Sequence, residues 1–236
     1  MKKYFFLFAF ACISFFITAA QQQQTKLRLT DESVVKDSSG TVYPASLWKP
    51  LLSSGDYSLR AENPRNEQTS FLLVRLTEEE KKARLKNMPK PRESNFFTTG
   101  KTVSSFKTTD INGNKYNLKE LKGKVVVINF WFINCGPCRQ EMPELNQLVH
   151  DYKDSTDIVF LGIALDSKAD LKDFLEKKPF EYSIIDNGRF ICERYGVTSY
   201  PTHLVLDKEG KVVYHSTGYS LNAVSWLRKS IDESMK

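Results

Sequence analysis

The chain has 236 residues, of which 41% are hydrophobic and 26% are charged. These values are typical of a globular protein, and they exclude a collagen-like or largely disordered chain. Lysine and arginine outnumber the acidic residues by 34 to 28, a formal net charge of +6. Because no part of the chain concentrates this excess, we expect no nucleic-acid partner.

The first 20 residues predict an export signal and not a part of the fold. A short basic start at 1–3 is followed by an apolar stretch to Ile17, small residues at 18–20 and a run of glutamines at 21–24. This order is typical of a secretory signal peptide, and the stretch is shorter than the ~20 residues of a transmembrane helix. Lipidation at Cys12 and an uncleaved membrane anchor are the alternatives. Each predicts a periplasmic or other extracytoplasmic location.

The cysteine count also favours redox chemistry over a structural framework. Cleavage after residue 20 removes Cys12 and leaves Cys135, Cys138 and Cys192. An odd number in an oxidising compartment fits one close pair plus one sequestered thiol. Cys192 is predicted to be that thiol, inert in the core.

Residues 21–95 predict a small β-rich extension that ends in a linker. Thr77 is a plausible N-cap, the acidic residues at 78–80 follow it, and basic residues come toward the helix end, as the helix dipole favours. Pro89 and Pro91 end this helix, so 87–95 is predicted as the linker. The sequence contains no catalytic constellation here. Short β-prone pieces are predicted at 26–29, 34–35, 41–43 and 71–76.

From residue 96 onward, buried strands alternate with helices. Residues 125–132 form a nearly continuous apolar run, as expected of a strand buried on both faces. A turn signal at 110–113 predicts a hairpin in front of it. This order predicts an α/β domain over 96–236 with a mixed central sheet flanked by helices. The other predicted elements are helices at 138–152, 170–178, 189–195 and 221–235, strands at 158–165 and 182–185, and a hairpin of 202–206 with 211–214.

The motif Cys135-Gly136-Pro137-Cys138 joins the apolar strand to the next helix. Unpaired N–H groups and the positive end of the helix dipole stabilise a thiolate on the first cysteine. A thiolate attacks disulfides, and a second thiol one turn away resolves the mixed disulfide. We therefore predict Cys135 as the nucleophile and Cys138 as the resolving thiol. Pro137 suits the first helical turn.

A zinc site is the alternative for these two cysteines. Zinc requires two further ligands at compatible spacing, and the candidates are single residues scattered along the chain: His150, Cys192, His203 and His215. We therefore predict no metal.

A second feature agrees with the redox interpretation. Tyr200-Pro201 directly precedes the apolar strand at 203–206. A proline is tolerated at the first residue of a strand, and a cis bond at Pro201 would present the Tyr200 backbone to an extended substrate.

Together, Phe130-Trp131, Cys135-Gly-Pro-Cys138 and Val197-Thr-Ser-Tyr-Pro201-Thr202 resemble the thioredoxin superfamily, and in particular its exported TlpA/ResA-type members. The resemblance covers 96–236. It implies a thioredoxin fold, a cis Pro201 and disulfide exchange with no cofactor beyond the Cys135–Cys138 disulfide. The residues expected to contact substrate are Trp131, Gly136, Pro137, Tyr200 and Pro201.

Three departures from thioredoxin bear on mechanism. Asn129 stands where thioredoxin has a buried aspartate, and an amide cannot act as a base. ResA-like proteins place a carboxylate three residues after the second cysteine, so Glu141 is the expected proton acceptor for Cys138, with a plain surface glutamate as the alternative. Asn134 replaces a tryptophan before the first cysteine, so partner recognition should differ.

The resulting functional prediction is an exported reductase of protein disulfides. The resemblance implies a membrane thiol transporter of the DsbD/CcdA type as electron donor and apocytochrome c or other exported proteins as substrates. The alternatives are a disulfide oxidant or isomerase, and a copper-delivery module in which His203 assists the same thiols. A peroxidase is disfavoured, because Phe132 occupies the position where such sites carry threonine.

Overall fold

The computed structural model describes residues 27–66 and 68–236. The predicted signal peptide at 1–20 and Cys12 lie outside the described residues. Within them, no helix has the length and apolar character that a membrane span requires.

The strands are β1 (Val35–Lys36), β2 (Val42–Tyr43), β3 (Tyr57–Ala61), β4 (Phe71–Arg75), β5 (Lys107–Thr109), β6 (Lys115–Asn117), β7 (Val125–Trp131), β8 (Ile158–Ala164), β9 (Ser183–Ile185), β10 (Thr202–Leu206) and β11 (Val212–Thr217). The helices are α1 (Ala45–Ser53), α2 (Glu78–Asn87), α3 (Gly136–Asp151), α4 (Lys168–Lys177), α5 (Arg189–Tyr195) and α6 (Ala223–Met235).

The central sheet has the strand order β11-β10-β7-β8-β9. Strands β7, β8 and β9 are parallel to one another, and β10 runs antiparallel to both of its neighbours, β7 and β11. This is the mixed sheet predicted from the sequence. The predicted elements after residue 96 are present, most of them with shifted ends, and the largest shift is at β11, which ends at Thr217 and not at residue 214.

Strand β7 lies at the centre of this sheet and is buried along its whole length. Its side chains alternate between two apolar clusters, with Val127 and Trp131 in one and Ile128 and Phe130 in the other. Burying a side chain of this size stabilises a fold by ~1.5–3 kcal/mol. The strand therefore anchors the loop that follows it, which carries the two cysteines.

Helices cover both faces of the sheet. Met142 and Leu145 of α3 and Leu227 of α6 belong to the cluster on one face, and Ile191 and Tyr195 of α5 belong to the cluster on the other. The helices flank the sheet as predicted, and α3 is the one that starts at the Cys-x-x-Cys motif.

The N-terminal region forms a second, four-stranded sheet of order β2-β1-β4-β3. Its separate core contains Val35, Trp48, Phe71 and Leu73. Two expectations require correction. Residues 27–29 are not a strand, since β-prone residues form one only with a ladder partner. Helix α1 and strand β3 were not predicted: Pro50 lies inside α1, and the burial of Trp48 at 3% exposure favours the helix despite it.

The segment that joins the two sheets is attached to the larger one. The Thr77 cap and the charge order of α2 agree with the prediction, since the Thr77 side chain accepts from Glu80 N–H in a capping box. Beyond α2, Asn222 Nδ2 donates to the Pro89 carbonyl at 3.0 Å and Thr217 N–H donates to the Arg92 carbonyl at 3.0 Å. The predicted linker is therefore packed against β11 and the start of α6.

Candidate active site

The two cysteines lie where β7 passes into α3. Cys135 is the N-cap of α3, and its Sγ accepts from Cys138 N–H at 3.2 Å. The structure joins Cys135 and Cys138 in a disulfide with a Cα–Cα distance of 5.3 Å. Cys135 is 5% exposed and Cys138 is 1% exposed, while Gly136 and Pro137 between them are exposed. Cys135 is therefore the sulfur that a partner reaches first.

The loop before Cys135 is held by a contact that sequence reasoning missed. Ile133 N–H donates to the Asp166 carboxylate at 2.8 Å. Asp166 follows β8, the parallel neighbour of β7, and the carboxyl ends of parallel strands meet at one edge of a sheet. An acidic residue just after the second apolar strand was the signal that could have predicted this anchor.

The Tyr200–Pro201 bond is cis, which confirms the expectation. The Tyr200 ring packs edge-on against Phe132 at 5.4 Å between ring centroids, so the proline loop lies beside the residues that lead to Cys135. Tyr200 is half-buried and Pro201 is buried. The Pro201 carbonyl accepts from Gly218 N–H at 2.8 Å, which ties the loop to the end of β11.

Trp131 requires a correction among the residues expected to contact substrate. Its side chain is fully buried, and its ring packs on Phe174 and Phe180. A fully buried ring offers no surface to a partner, because the apolar contacts that stabilise β7 enclose it. Trp131 therefore lies under the site as a core residue.

Glu141 is 4% exposed, so the alternative of a surface glutamate is wrong. It lies three residues after Cys138 on α3, which places both side chains on the same face of the helix. Its Oε1 accepts from Asn129 Nδ2 at 3.0 Å, and its Oε2 lies 3.1 Å from His203 Nε2. Asn129 and His203 are direct cross-strand partners on β7 and β10.

His203 is completely buried and bonds through both ring nitrogens. Besides the contact to Glu141, its Nδ1 lies 3.2 Å from Asn129 Nδ2. Sequence reasoning treated His203 as a candidate ligand in the zinc and copper alternatives, and not as a partner of Glu141. In the described part of the chain, no three side chains of the His, Cys, Asp and Glu types are grouped closely enough to hold a metal ion.

Several titratable groups surround Glu141. Burial raises the pKa of Tyr182, and raises the pKa of Tyr214 and of Tyr219 to about 12. These hydroxyls are therefore neutral at physiological pH. Burial also raises the pKa of Glu144, with the charges of Glu141 and then Asp56 adding to the shift.

Cys192 is buried as predicted, at 2% exposure. Burial raises the pKa of its thiol above the ordinary value. A thiol reacts as its thiolate, so burial in apolar surroundings makes this cysteine unreactive.

The N-terminal extension reaches the active-site helix, which sequence reasoning did not anticipate. The Ser53 carbonyl at the end of α1 accepts from Gln140 Nε2 at 2.6 Å and from the Tyr219 hydroxyl at 3.0 Å. Gly55, at φ +81°, lies so close to Leu221 that an added Cβ would sit 2.9 Å from its side chain. The turn after α1 therefore packs against the exposed face of α3 at Gln140 and against the segment before α6.

A mixed sheet of this order, with the disulfide at the N-terminus of α3 and a cis-proline beside it, defines a thioredoxin-like thiol–disulfide oxidoreductase. Comparison with known proteins agrees. The model of the AhpC/TSA family matches residues 99–215, and the chain belongs to this family of thioredoxin-like proteins.

Relatives and solved structures support the same class. The thiol-disulfide oxidoreductase ResA of Bacillus thuringiensis is 38% identical over 120 residues, which are 50% of this chain and 69% of the relative. The ResA of Halalkalibacterium halodurans is 30% identical over 132 residues, 53% of this chain and 75% of the relative.

Among solved structures, the thioredoxin domain of a thiol-disulfide oxidoreductase from Bacteroides vulgatus matches with a TM-score of 0.51 and 25% identity, covering 57% of this chain and 99% of that one. A Chlorobium tepidum protein described as the thiol:disulfide interchange protein DsbE gives a TM-score of 0.54 and 27% identity, covering 59% and 99%.

Proposed function

We propose that this oxidoreductase is exported and reduces protein disulfides through Cys135 and Cys138, by way of a mixed disulfide. The observation that carries the proposal is the Cys135–Cys138 pair at the start of α3 with the buried carboxylate of Glu141 one turn behind it. A nucleophile, a resolving thiol and a proton acceptor are the three groups that the reaction requires.

In the first step, the Cys135 thiolate attacks one sulfur of a substrate disulfide. A new sulfur–sulfur bond forms to Cys135, and the other substrate sulfur leaves as a thiolate. The free N–H groups and the dipole at the N-terminus of α3 favour the negative charge on Cys135 before the attack. The cis-proline loop packs through the Tyr200 ring on Phe132, three residues before Cys135, and we propose that an extended substrate chain lies along the Tyr200 backbone.

In the second step, the Cys138 thiol gives its proton to Glu141 and attacks Cys135 Sγ. The Cys135–Cys138 disulfide forms, and the substrate leaves with its second sulfur reduced. The enzyme loses two electrons and the substrate disulfide gains them. Cys138 is only 1% exposed, so a buried acceptor next to it replaces bulk water as the immediate destination of the proton.

The motif supports the proposed direction, and that direction requires an electron donor. The Gly136-Pro137 dipeptide is shared with thioredoxin, whose potential is about −270 mV, and not with the oxidant DsbA at about −120 mV. A reductase outside the cytoplasm requires an electron source, for which we propose a membrane thiol transporter. Its substrates are then disulfide-containing exported proteins, and no cofactor beyond the two thiols is needed.

The test is the reduction potential of the Cys135–Cys138 couple, measured by equilibrating the protein without residues 1–20 against dithiothreitol and glutathione buffers. We expect one two-electron couple near the thioredoxin end of the scale. The Cys138→Ser variant serves as control, because it should stop at the mixed disulfide. A potential near that of DsbA would reverse the direction, and failure to form the disulfide would overturn the proposal. Export is checked by N-terminal sequencing of the protein from the extracytoplasmic fraction.

A further inference from the structure

A closed triangle of hydrogen bonds includes Glu141, which follows Cys138 by one turn of α3, and it takes one residue from each of three elements. Asn129 of β7, Glu141 of α3 and His203 of β10 are 1%, 4% and 0% exposed. The three contacts measure 3.0 Å for Asn129–Glu141, 3.1 Å for His203–Glu141 and 3.2 Å for Asn129–His203. Buried polar groups are costly unless every one is paired, so the donors and acceptors in this triangle constrain one another.

The triangle has a consistent assignment of protons. Asn129 uses the same nitrogen, Nδ2, toward Glu141 and His203, and an amide nitrogen only donates. His203 Nδ1 must then accept, which leaves the hydrogen of a neutral imidazole on Nε2, where it donates to Glu141 Oε2. Both carboxylate oxygens of Glu141 accept, as an ionised carboxylate does.

The reversed amide fails this requirement. An oxygen of Asn129 would face both the Glu141 carboxylate and His203 Nδ1, and acceptor would meet acceptor at Glu141. The network therefore selects the amide orientation, which is the proper basis for assigning it.

We propose that His203 is a positioning residue of the disulfide-exchange reaction, a neutral Nε2–H donor that together with Asn129 holds Glu141 as the anion which receives the Cys138 proton. The inference deepens the proposed function and rests on it. His203 is not a second base, because its one accepting nitrogen is already occupied by Asn129. The triangle thus has a single place for the transferred proton, at Glu141.

The other groups that face Glu141 do not supply this donor. The hydroxyls of Tyr182 and Tyr214 have no hydrogen-bond partner among the residues that the structure describes, and the Tyr219 hydroxyl donates to the Ser53 carbonyl. Glu144, one turn further along α3, is a second carboxyl group and cannot stabilise a neighbouring anion. Hydrogen bonds to the charged form of a group favour that form, and His203 and Asn129 are the ones that donate to Glu141 directly.

The experiment follows the two steps separately in one reaction. Reduced protein is mixed with Ellman's reagent, a small aromatic disulfide, in a stopped-flow instrument at a series of pH values. Attack by Cys135 releases the first thionitrobenzoate. Transfer of the Cys138 proton to Glu141, with closure of the Cys135–Cys138 disulfide, releases the second, so the rate of the second phase reports on Glu141.

His203→Leu removes one of the two hydrogen bonds that the Glu141 carboxylate accepts. We expect the acid limb of the second-phase profile to move up by about one pH unit or more, the size of one hydrogen bond to a charged group. The first phase should keep its profile. His203→Gln retains a donating nitrogen at the end of its side chain, so its second-phase profile should return most of the way to that of the unmodified protein.

The matched control is His215→Leu. His215 is also a buried histidine, on the next strand, but it bonds to Ser94 and not to Glu141. Its removal should leave the second-phase profile in place. An unchanged profile in folded His203→Leu protein, or an equal shift in His215→Leu, would overturn the inference.

A spectroscopic measurement on the unmodified protein needs no variant to fold. The ¹⁵N shifts of the His203 ring should report the neutral Nε2–H form, and an imidazolium at pH 7 contradicts the inference. Failure of the proposed function is recognised separately: without disulfide exchange the unmodified protein would release no second thionitrobenzoate at any pH, and a reversed direction would appear in the reduction potential and not in the second-phase profile.

Discussion

Replacing Asn129 with leucine removes one corner of the buried triangle without adding or removing a formal charge. Leucine has the same branched arrangement of heavy atoms as asparagine, with two methyl groups in place of the amide oxygen and nitrogen, and the position is enclosed by β8 and β10 on either side of β7. The variant therefore tests the hydrogen bonds of Asn129 more than its packing. Both partners of its amide remain in place and lose a donor.

The magnitude follows from the two contacts. The carboxylate of Glu141 loses a donor at 3.0 Å, and a hydrogen bond to a charged group contributes about 1.5–3 kcal/mol. His203 Nδ1 loses its donor at 3.2 Å and becomes a buried acceptor without a partner, at a cost of about 1–3 kcal/mol. The free energy of unfolding should fall by about 3–5 kcal/mol. For a chain of this size, that corresponds to a drop in Tm of roughly 10 °C.

Urea unfolding followed by tryptophan fluorescence measures this loss, and a double-mutant cycle with His203→Leu isolates the shared contact. The two single variants both break the Asn129–His203 bond, so the double variant should cost less than their sum by about 1 kcal/mol or more. A loss below 1 kcal/mol for Asn129→Leu, or strict additivity in the cycle, would refute the reasoning that the three side chains form one network.

Three further predictions concern the surroundings of the site. Partial desolvation and the charge of Glu141 raise the pKa of Glu144 above its unfolded value, although its side chain remains exposed. Its ionised form therefore destabilises the fold as the pH rises, and Glu144→Gln should gain a small amount of stability over the unmodified protein between pH 4 and pH 8 in urea unfolding. The buried Cys192 thiol should remain unlabelled by iodoacetamide in the native reduced protein and react after denaturation, as peptide mass spectrometry would show. Gln140→Ala combined with Tyr219→Phe removes both donors to the Ser53 carbonyl. Each hydrogen bond contributes about 1 kcal/mol, so amide hydrogen exchange at the end of α1 should accelerate roughly tenfold or more. Exchange in β7 should stay unchanged.

Two kinds of element could be predicted from the sequence: those stabilised by contacts between near neighbours, and those buried along their whole length. The Thr77 capping box and the charge order of α2 lie within a few residues of each other and are visible without the fold. The unbroken apolar run of β7 requires burial on both faces wherever it lies. Helix α1 was missed for the opposite reason, since Pro50 argues against a helix and the burial of Trp48 that offsets it comes from the sheet β1–β4.

The site divides along the same line. Cys135, Pro137 and Cys138 form a strand-to-helix junction, and their chemistry follows from neighbours within one turn. The Tyr200–Pro201 dipeptide was recognisable as the second part of the redox site, because it stands directly before an apolar strand. The substrate contact expected of Trp131 was wrong, because the side chain is fully buried. Its position in the continuous apolar run of β7 already predicted that burial.

The sequence by itself determined the reactive dithiol and the class of fold, since both rest on adjacent residues and on the alternation of strands and helices. Only the tertiary structure decided what lies beneath the dithiol. Glu141 meets Asn129 across 12 positions and His203 across 62, and His203 meets Asn129 across 74. Those contacts depend on the register of β10 on β7 and on the rotation of α3 above them. Register and rotation are set by the packing of the whole core, so no local pattern in the chain records them.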